Sequence, residues 1–391
     1  MKIVVVPSGF KESLSAEEVG LYIQQGINKV DSSYDITVIP MVDGGEGFAQ
    51  TITKLKAGQL VYHSVTGPIG ETIDSFYGAY YENGLKTAVI EMAAIAGLKN
   101  VPKHLRNPLN TTTYGVGEMM LKAIDDGAER ILIGCGDSGT NDGGIGMAQA
   151  LGVRCYDALG NLIQVIGGGQ IHHIASIDYS GLNHAIKHIP IDAAVNWKNI
   201  LCGEKGVARV YGPQKGATPE QVDLLARNLE YLADLYHEIS TEDLKYGNGT
   251  GASGGLGAGL IAVCGAKLHP RFNIIMKYIQ ISDAIRNTDL VFTAEGCLDY
   301  QTPHGKIPSE VARIAKNYNK PVIALAGTIG KNAKINYETG IDAYSSIIPQ
   351  PTTLEGSIHD ASKWLINCAE NAMRKVMIGI MIAKAMKSHA S

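Results

Sequence analysis

The sequence has little of what marks several common protein classes. Its six cysteines are scattered and form no C-x-x-C pair, so we expect reduced thiols in a cytoplasmic protein. No run of basic residues accompanies the formal net charge of −4, so nucleic-acid binding is not expected. The apolar run at 376–383 is far too short to span a bilayer, and no membrane partner is expected. The spacing G-x-x-x-x-G-K-S/T is absent, which excludes a P-loop.

Glycine, in contrast, is abundant. The chain has 46 glycines and only five phenylalanines, a balance that fits an α/β protein with many tight turns between strands and helices. Its 391 residues predict about two domains. The sequence leaves the oligomeric state open between monomer and homodimer.

Buried-strand patterns occur at both ends of the chain but not in its middle. Continuous apolar runs at 2–7, 290–294 and 322–326 are typical of strands covered on both faces. Between about 60 and 285 the runs alternate and are separated by turns, as in an antiparallel or mixed sheet. We therefore predict an α/β fold in which a flavodoxin-like, doubly wound parallel sheet domain (1–60 and 285–391) carries an inserted mixed α/β domain (61–284).

The most informative stretch is the glycine-rich segment 134–144. It follows a strand-like run and combines glycines with Asp137, Ser138, Thr140, Asn141 and Asp142. Glycines let a backbone approach a ligand closely, and carboxylates beside them suit Mg²⁺ and a nucleotide triphosphate. We interpret the segment as an active-site loop. A loop whose aspartate caps a helix is the alternative for either carboxylate taken alone.

The same segment matches G-x-G-x-x-G at Gly134, Gly136 and Gly139, which favours a nicotinamide-dependent oxidoreductase as a second hypothesis. The pattern recurs at 249–254 and is weak on its own. Asp137 and Asp142 also argue against it, because fixed negative charge opposes pyrophosphate at a helix N-terminus. A third hypothesis is a non-catalytic protein that keeps the fold of an enzyme and binds a small acid.

Polar side chains gather after several strand-like runs. Phosphoryl transfer needs cations for phosphate, carboxylates for Mg²⁺ and an acceptor for the hydroxyl proton. Lys11 and Lys306 are candidates for the first role, and Asp43, Asp142 and Asp299 for the others, with Asp142 and Glu295 as candidate metal ligands. A solvated lysine and a helix-capping glutamate are the alternatives for these lysines and for Glu295. The remaining candidate binding residues are Ser13, Gly44, Gly45, Glu46, Arg106, Ser138, Thr140, Asn141, Gly143, Gln301 and Thr302.

Seven short segments, spread along nearly the whole chain, match the sequence pattern of one protein family in the same order: 7–16, 43–47, 91–94, 107–109 with 111–112, 140–144, 211–217 and 295–306. In these blocks the chain resembles the bacterial type-I glycerate kinases. The resemblance implies ATP-dependent phosphorylation of D-glycerate in organic acid metabolism, with Mg²⁺. It also implies a flavodoxin-like domain that carries an inserted α/β domain.

The chain departs from the family pattern at four positions. Ser8 stands where an aspartate is usual, and Cys297 where an arginine is usual. Asp137 and Asn196 lie in blocks whose usual sequence differs. These changes leave open which hydroxy acid is preferred, which hydroxyl is phosphorylated and which aspartate is the base.

Overall fold

The structure, a computed structural model, describes residues 1–10, 13–41 and 44–388. The chain forms two compact units. The first consists of Met1–Val42 and Gln280–Ser391, and the second of Asp43–Ile279. None of the described helices has the length and apolar character that crossing a membrane requires.

The strands and helices alternate along most of the chain. The strands are β1 (Lys2–Pro7), β2 (Asp35–Val38), β3 (Gln59–Thr66), β4 (Thr72–Glu82), β5 (Leu85–Glu91), β6 (Arg130–Gly134), β7 (Arg154–Tyr156), β8 (Leu162–Ile163), β9 (Ser176–Asp178), β10 (Ile191–Val195), β11 (Lys267–Pro270), β12 (Leu290–Leu298), β13 (Val322–Ile329) and β14 (Ala343–Ser346). The α-helices are α1 (Ala16–Asn28), α2 (Phe48–Leu55), α3 (Met92–Ala96), α4 (Tyr114–Asp125), α5 (Ile145–Ala150), α6 (Val207–Tyr211), α7 (Pro219–Tyr236), α8 (Ala252–Cys264), α9 (Arg271–Ile279), α10 (Ile281–Arg286), α11 (Ile307–Asn317), α12 (Leu354–His359) and α13 (Ala361–Ser388).

The first unit is built on a five-stranded parallel sheet with the order β2-β1-β12-β13-β14. Numbered within this unit alone, the order is 2-1-3-4-5, which is the flavodoxin-like order. The strand order, not the strand direction, reverses between β1 and β12. Residues 3–7 of β1 and 290–294 of β12 are buried and, apart from Thr293, apolar, as a sheet covered on two faces requires. The predicted fold class is confirmed.

Helices α1 and α13 pack together on this unit. The start of α1 is fixed by a capping box, in which the Ser15 hydroxyl accepts from the Glu18 N–H and the Glu18 carboxylate accepts from the Ser15 N–H. Val19, Ile23 and Ile27 then recur on one face and are fully buried. The helix therefore begins at a defined residue, directly after the loop that leaves β1.

The second unit contains a six-stranded mixed sheet with the order β11-β10-β6-β5-β4-β3. Strands β3 to β5 are antiparallel, whereas β5, β6, β10 and β11 run parallel. The carboxyl ends of the parallel strands consequently share one edge, where loops can converge. A small antiparallel sheet with the order β8-β7-β9 lies in the same unit.

Helix α2 shows how the unit boundaries differ from the predicted domain limits. The sequence predicts it in the first domain, but α2 packs on β4 and β5 of the second unit and buries Phe48 and Ile52 there. Gly78 of β4 leaves the space that the Thr53 side chain occupies. A short amphipathic helix suits either sheet, so its pattern alone does not assign it to a unit.

Candidate active site

Glycines at the end of β6 make room for another chain segment. A Cβ atom on Gly134 would lie 2.8 Å from the carbonyl oxygen of Gly44, and one on Gly136 would lie 2.6 Å from the Cα of Gly45. The predicted stretches 44–46 and 134–144 are therefore adjacent at the carboxyl edge of the second sheet. At these two positions the glycines serve backbone packing, which does not suit the dinucleotide-binding interpretation of Gly134, Gly136 and Gly139.

Asp137 fixes the position of Glu46. Its φ of +49° lies in the left-handed region, which aspartate tolerates better than most residues. The Asp137 carboxylate accepts from the Glu46 N–H at 3.0 Å, and its carbonyl accepts from the Leu98 N–H at 2.8 Å. The exposed Glu46 carboxylate forms an ion pair with Lys99. Asp137 thus joins three turns at this edge.

Glu91, at the end of β5, caps α2 from a distance. Its carboxylate accepts from the N–H groups of Gly47 (3.1 Å) and Ala49 (3.0 Å), and Gly47 has no side chain with which to cap the helix itself. Burial, assisted by the charges of Glu46 and Asp137, raises the pKa of Glu91 to about 7. Apart from its place in the block 91–94, the sequence gives no sign of this role, because a glutamate that ends a strand does not reveal which helix it will cap.

Asp142 is fully buried and surrounded by donors. Its carboxylate accepts from the N–H and hydroxyl of Thr113 at 2.7 and 2.8 Å, from the N–H of Gly144 at 3.1 Å and from the N–H of Gly146 at 3.3 Å. Burial raises the pKa of Asp142, while these hydrogen bonds oppose the rise. The carboxylate holds together the starts of α4 and α5. This geometry is the one expected for the helix-capping alternative.

Lys215 is a buried cation that sequence analysis did not single out. Its ammonium donates to the Ser138 hydroxyl (2.8 Å), the Thr140 carbonyl (2.7 Å) and the Asn141 side-chain oxygen (2.9 Å). Burial lowers the pKa of Lys215 to about 7, and the charge of Asp142 opposes this shift. The only sequence signal was its place in the block 211–217. Lysine is almost never fully buried without partners, so these contacts fix the loop.

Three buried polar atoms lie where this loop meets the start of α8. The Thr140 hydroxyl, the Asn141 side-chain nitrogen and the Ser253 hydroxyl have no hydrogen-bond partner among the described residues. Gly143 donates its N–H to the carbonyl of Gly254 at 3.0 Å, and Gly254 packs directly on the Thr140 carbonyl. Two of these three atoms, those of Thr140 and Asn141, belong to predicted binding residues.

Other predicted residues of the chain have structural contacts. The Arg106 guanidinium donates to the carbonyls of Val101 and Leu98, both at 3.4 Å, and so holds a turn. The Ser13 hydroxyl lies 3.5 Å from the carbonyl of Ile358 in the first unit. Lys11 and Asp43 lie outside the described residues.

In the first unit, three polar groups at the end of β12 lie around the Lys306 ammonium. Its ammonium lies 3.1 Å from the carbonyl oxygen of Cys297, 3.4 Å from the Asp299 carboxylate and 4.0 Å from the Glu295 carboxylate. Lys306 is also the residue before the first turn of α11. The group stands beside the strand-order reversal, the position where open α/β sheets bind ligands.

A tight turn holds Asp299 in place. The Asp299 carboxylate accepts from the Gln301 N–H at 2.9 Å, and the Asp299 N–H donates to the Thr302 hydroxyl at 3.1 Å. Asn336 donates its side-chain N–H to the Asp299 carbonyl at 3.0 Å. Thr302 is fully buried, so its contribution is to shape the turn. The side chains of Glu295, Asp299 and Lys306 remain partly exposed.

Fold and site together define a two-unit α/β protein with charged groups at a switch point suited to a small polar ligand. A model described as the glycerate kinase family matches residues 3–377, and the chain belongs to that family. It is 42% identical to a glycerate kinase of Bacillus subtilis, covering 99% of each chain, and 39% identical to a glycerate 2-kinase of Escherichia coli, covering 97% and 99%. A crystal structure assigned to glycerate kinase 2 of Salmonella typhimurium superposes with a TM-score of 0.82 at 42% identity, covering 97% and 99%.

Proposed function

We propose that this protein is a glycerate kinase, an enzyme that transfers the γ-phosphoryl group of ATP to a hydroxyl group of D-glycerate. The structural observation that carries the proposal is the Lys306 group at the switch point of the first unit. It combines one ammonium with two carboxylates at 3.4 and 4.0 Å. Relatives that match nearly the full length of the chain are named glycerate kinase and glycerate 2-kinase, which supports glycerate as the substrate.

These residue types suit the needs of phosphoryl transfer. Charge that develops on the transferring phosphoryl group is stabilised by a fixed cation, which Lys306 supplies. A carboxylate that accepts the proton of the attacking hydroxyl completes the step, and Asp299 is the candidate whose orientation the surrounding turn fixes. Lys11 follows β1 in the sequence, and β1 is the neighbour of β12 in the sheet. We retain Lys11 as a second phosphate-binding candidate.

We further propose Mg²⁺ as the companion of ATP. No group of three or more His, Cys, Asp or Glu side chains that could hold a metal occurs in the described part of the chain. Mg²⁺ with a nucleotide needs only one or two carboxylates, because phosphate oxygens and water complete its shell. Glu295 fits that requirement and leaves Asp299 for the role of base, whereas the hydrogen bonds to Asp142 occupy its oxygens. The ion would neutralise phosphate charge during transfer.

The kinase reaction is tested by an assay panel. ADP release is measured with D-glycerate, L-glycerate and other hydroxy acids, beside nicotinamide absorbance, and the phosphorylated carbon of the product is identified by NMR. We expect ADP release with D-glycerate and no hydride transfer. Hydride transfer without ATP consumption would favour the oxidoreductase, and ligand binding without turnover would favour the non-catalytic relative.

The role of Lys306 is tested by Lys306→Met, which removes the charge but keeps most of the apolar stem. We expect kcat/KM to fall about 100-fold or more, because a cation at a transferring phosphoryl group contributes a few kcal/mol to the transition state. Lys334→Met is the matched control, since Lys334 is an exposed lysine of the same unit. Equal activity of both variants would remove Lys306 from the proposed mechanism.

Cellular location follows from the same proposal. We propose a cytoplasmic enzyme, supported by six cysteines that are all free thiols, four of them buried.

A further inference from the structure

A cavity of about 500 Å³ lies in the second unit, away from the glycine-rich loops. Arg130 and Lys267, in its wall, are the first residues of β6 and β11, and Asp192 is the second residue of β10. The cavity therefore opens at the amino ends of these strands. The glycine-rich loop 134–144 leaves the opposite, carboxyl edge of the same sheet.

The cavity wall carries an excess of positive charge. Its arginine and lysine side chains are those of Arg130, Lys187, Lys267 and Lys277. The two acids in the wall already have partners. Glu82 is paired with Lys56 at 2.6 Å. Asp192 lies 2.6 Å from a ring nitrogen of His269 and accepts from the Tyr278 hydroxyl at 2.9 Å.

Arg130 distinguishes this wall from an ordinary lysine-rich surface. Its side chain is half-buried, and within the described chain its guanidinium has neither a hydrogen-bond acceptor nor an ion-pair partner. Lys187, Lys267 and Lys277 likewise have no ion-pair partner among the residues that the structure describes. An exposed lysine is normally solvated by water alone, but a half-buried guanidinium usually faces an acceptor. The arrangement therefore has several donors that pair with neither of the two acids in the wall.

We propose that this cavity binds a small phosphate-bearing anion. The planar fork of an arginine matches two phosphate oxygens, and the surrounding lysines add point charges that do not demand one geometry. A volume of about 500 Å³ lies in the range of small-molecule sites. The ligand class is a phosphate ester or an inorganic phosphate. All residues of the cavity wall belong to the second unit, whereas the Lys306 group belongs to the first.

Calorimetric titration of the full chain with inorganic pyrophosphate at low ionic strength tests the proposal. We expect one saturable site that weakens as salt is added, because added ions screen these charges. The variant Lys267→Glu/Lys277→Glu should bind at least about tenfold more weakly, since two charge-assisted contacts become repulsive. Arg130→Gln should weaken binding as well.

The matched control is Lys205→Glu/Lys334→Glu. It changes the net charge by the same amount at exposed lysines outside the cavity, and its affinity should equal that of the parent. Thermal melts establish that each variant is folded. A parallel titration with glycerol phosphate distinguishes an ester site, where it binds at least as tightly as pyrophosphate, from a site for inorganic phosphate.

Three outcomes would overturn the proposal. The first is no saturable binding. The second is an equal loss of affinity in both double variants, which would indicate diffuse surface attraction. The third is full displacement of pyrophosphate by ATP with no effect of the cavity variants, which would place the probe in the nucleotide site.

Discussion

Among single residues, Asp142 carries the first prediction, because its hydrogen bonds favour a structural role over the catalytic role expected from the sequence. With four donors on one buried carboxylate, Asp142→Asn turns an NH₂ group toward donors and leaves them unsatisfied. We expect the free energy of unfolding to fall by about 2–4 kcal/mol. The kcat of the folded variant should stay within about threefold of the parent, because four protein donors already occupy the Asp142 carboxylate. Chemical denaturation and steady-state kinetics measure the two effects.

Asp157→Asn is the control for that experiment. Asp157 also accepts hydrogen bonds from backbone N–H groups, those of Leu159 and Asn161, but on an exposed turn. Its substitution should leave the free energy of unfolding close to that of the parent, because changes on exposed turns usually cost little. If Asp142→Asn instead melted like the parent while turnover fell by ~100-fold or more, Asp142 would be a reacting group after all.

Glu91 makes stability depend on pH. Its pKa is raised to about 7 in the fold from an ordinary value of 4.5, so between these pH values the folded protein holds a proton that the unfolded chain has released. The stability that this group contributes is therefore greatest below pH 4.5 and is lost as pH rises toward 7. Glu91→Gln has no such proton. The difference in unfolding free energy between parent and variant should shrink from pH 5 to pH 8. Urea denaturation across this range measures it, and a constant difference would show that Glu91 keeps an ordinary pKa.

At the scale of elements, the contact between the end of β6 and the segment 44–45 carries a prediction. In Gly136→Ala the new methyl group would meet backbone, 2.6 Å from the Cα of Gly45, so one of the two segments must move. We expect a loss of at least ~1 kcal/mol in stability and a rise in KM for glycerate, measured by denaturation and initial rates.

Gly379→Ala offers the matched comparison. Gly379 lies in α13, and a Cβ atom there would meet nothing within 4 Å. Alanine favours a helix over glycine, so this variant should be as stable as the parent or slightly more so. Parental stability and kinetics in Gly136→Ala would mean that the 44–45 segment adapts freely.

The strands and helices also show which features can be predicted from the sequence. Buried strands give continuous apolar runs, and the capping signals at Ser15 and Thr218 mark helix starts that the structure reproduces. Glu91 and Lys215 were missed because their partners lie 42 and 74 or more residues away along the chain. Local patterns identify an element and its limits. They do not identify which distant polar group will satisfy it.

For the whole molecule, the sheet order was predictable from the position of strand-like runs at both ends of the chain. Five parallel strands, two early and three late, have few arrangements that keep right-handed crossovers. The limits of the two units were less accessible. They depend on which sheet buries α2 and on the short helices near 280, and amphipathic helices of six to nine residues carry too little pattern to decide this.

The place of β1 in its sheet also has a consequence for synthesis. Val5 lies beside Phe292, so the central neighbour of the first strand emerges from the ribosome almost 290 residues later. At roughly 5–20 residues per second, that wait lasts on the order of 15–60 s. During it, one edge of an apolar strand has no neighbour, which is the condition that favours pairing with another chain. The nascent protein should therefore depend on chaperones until β12 has been made, whereas the inserted unit can fold while it waits.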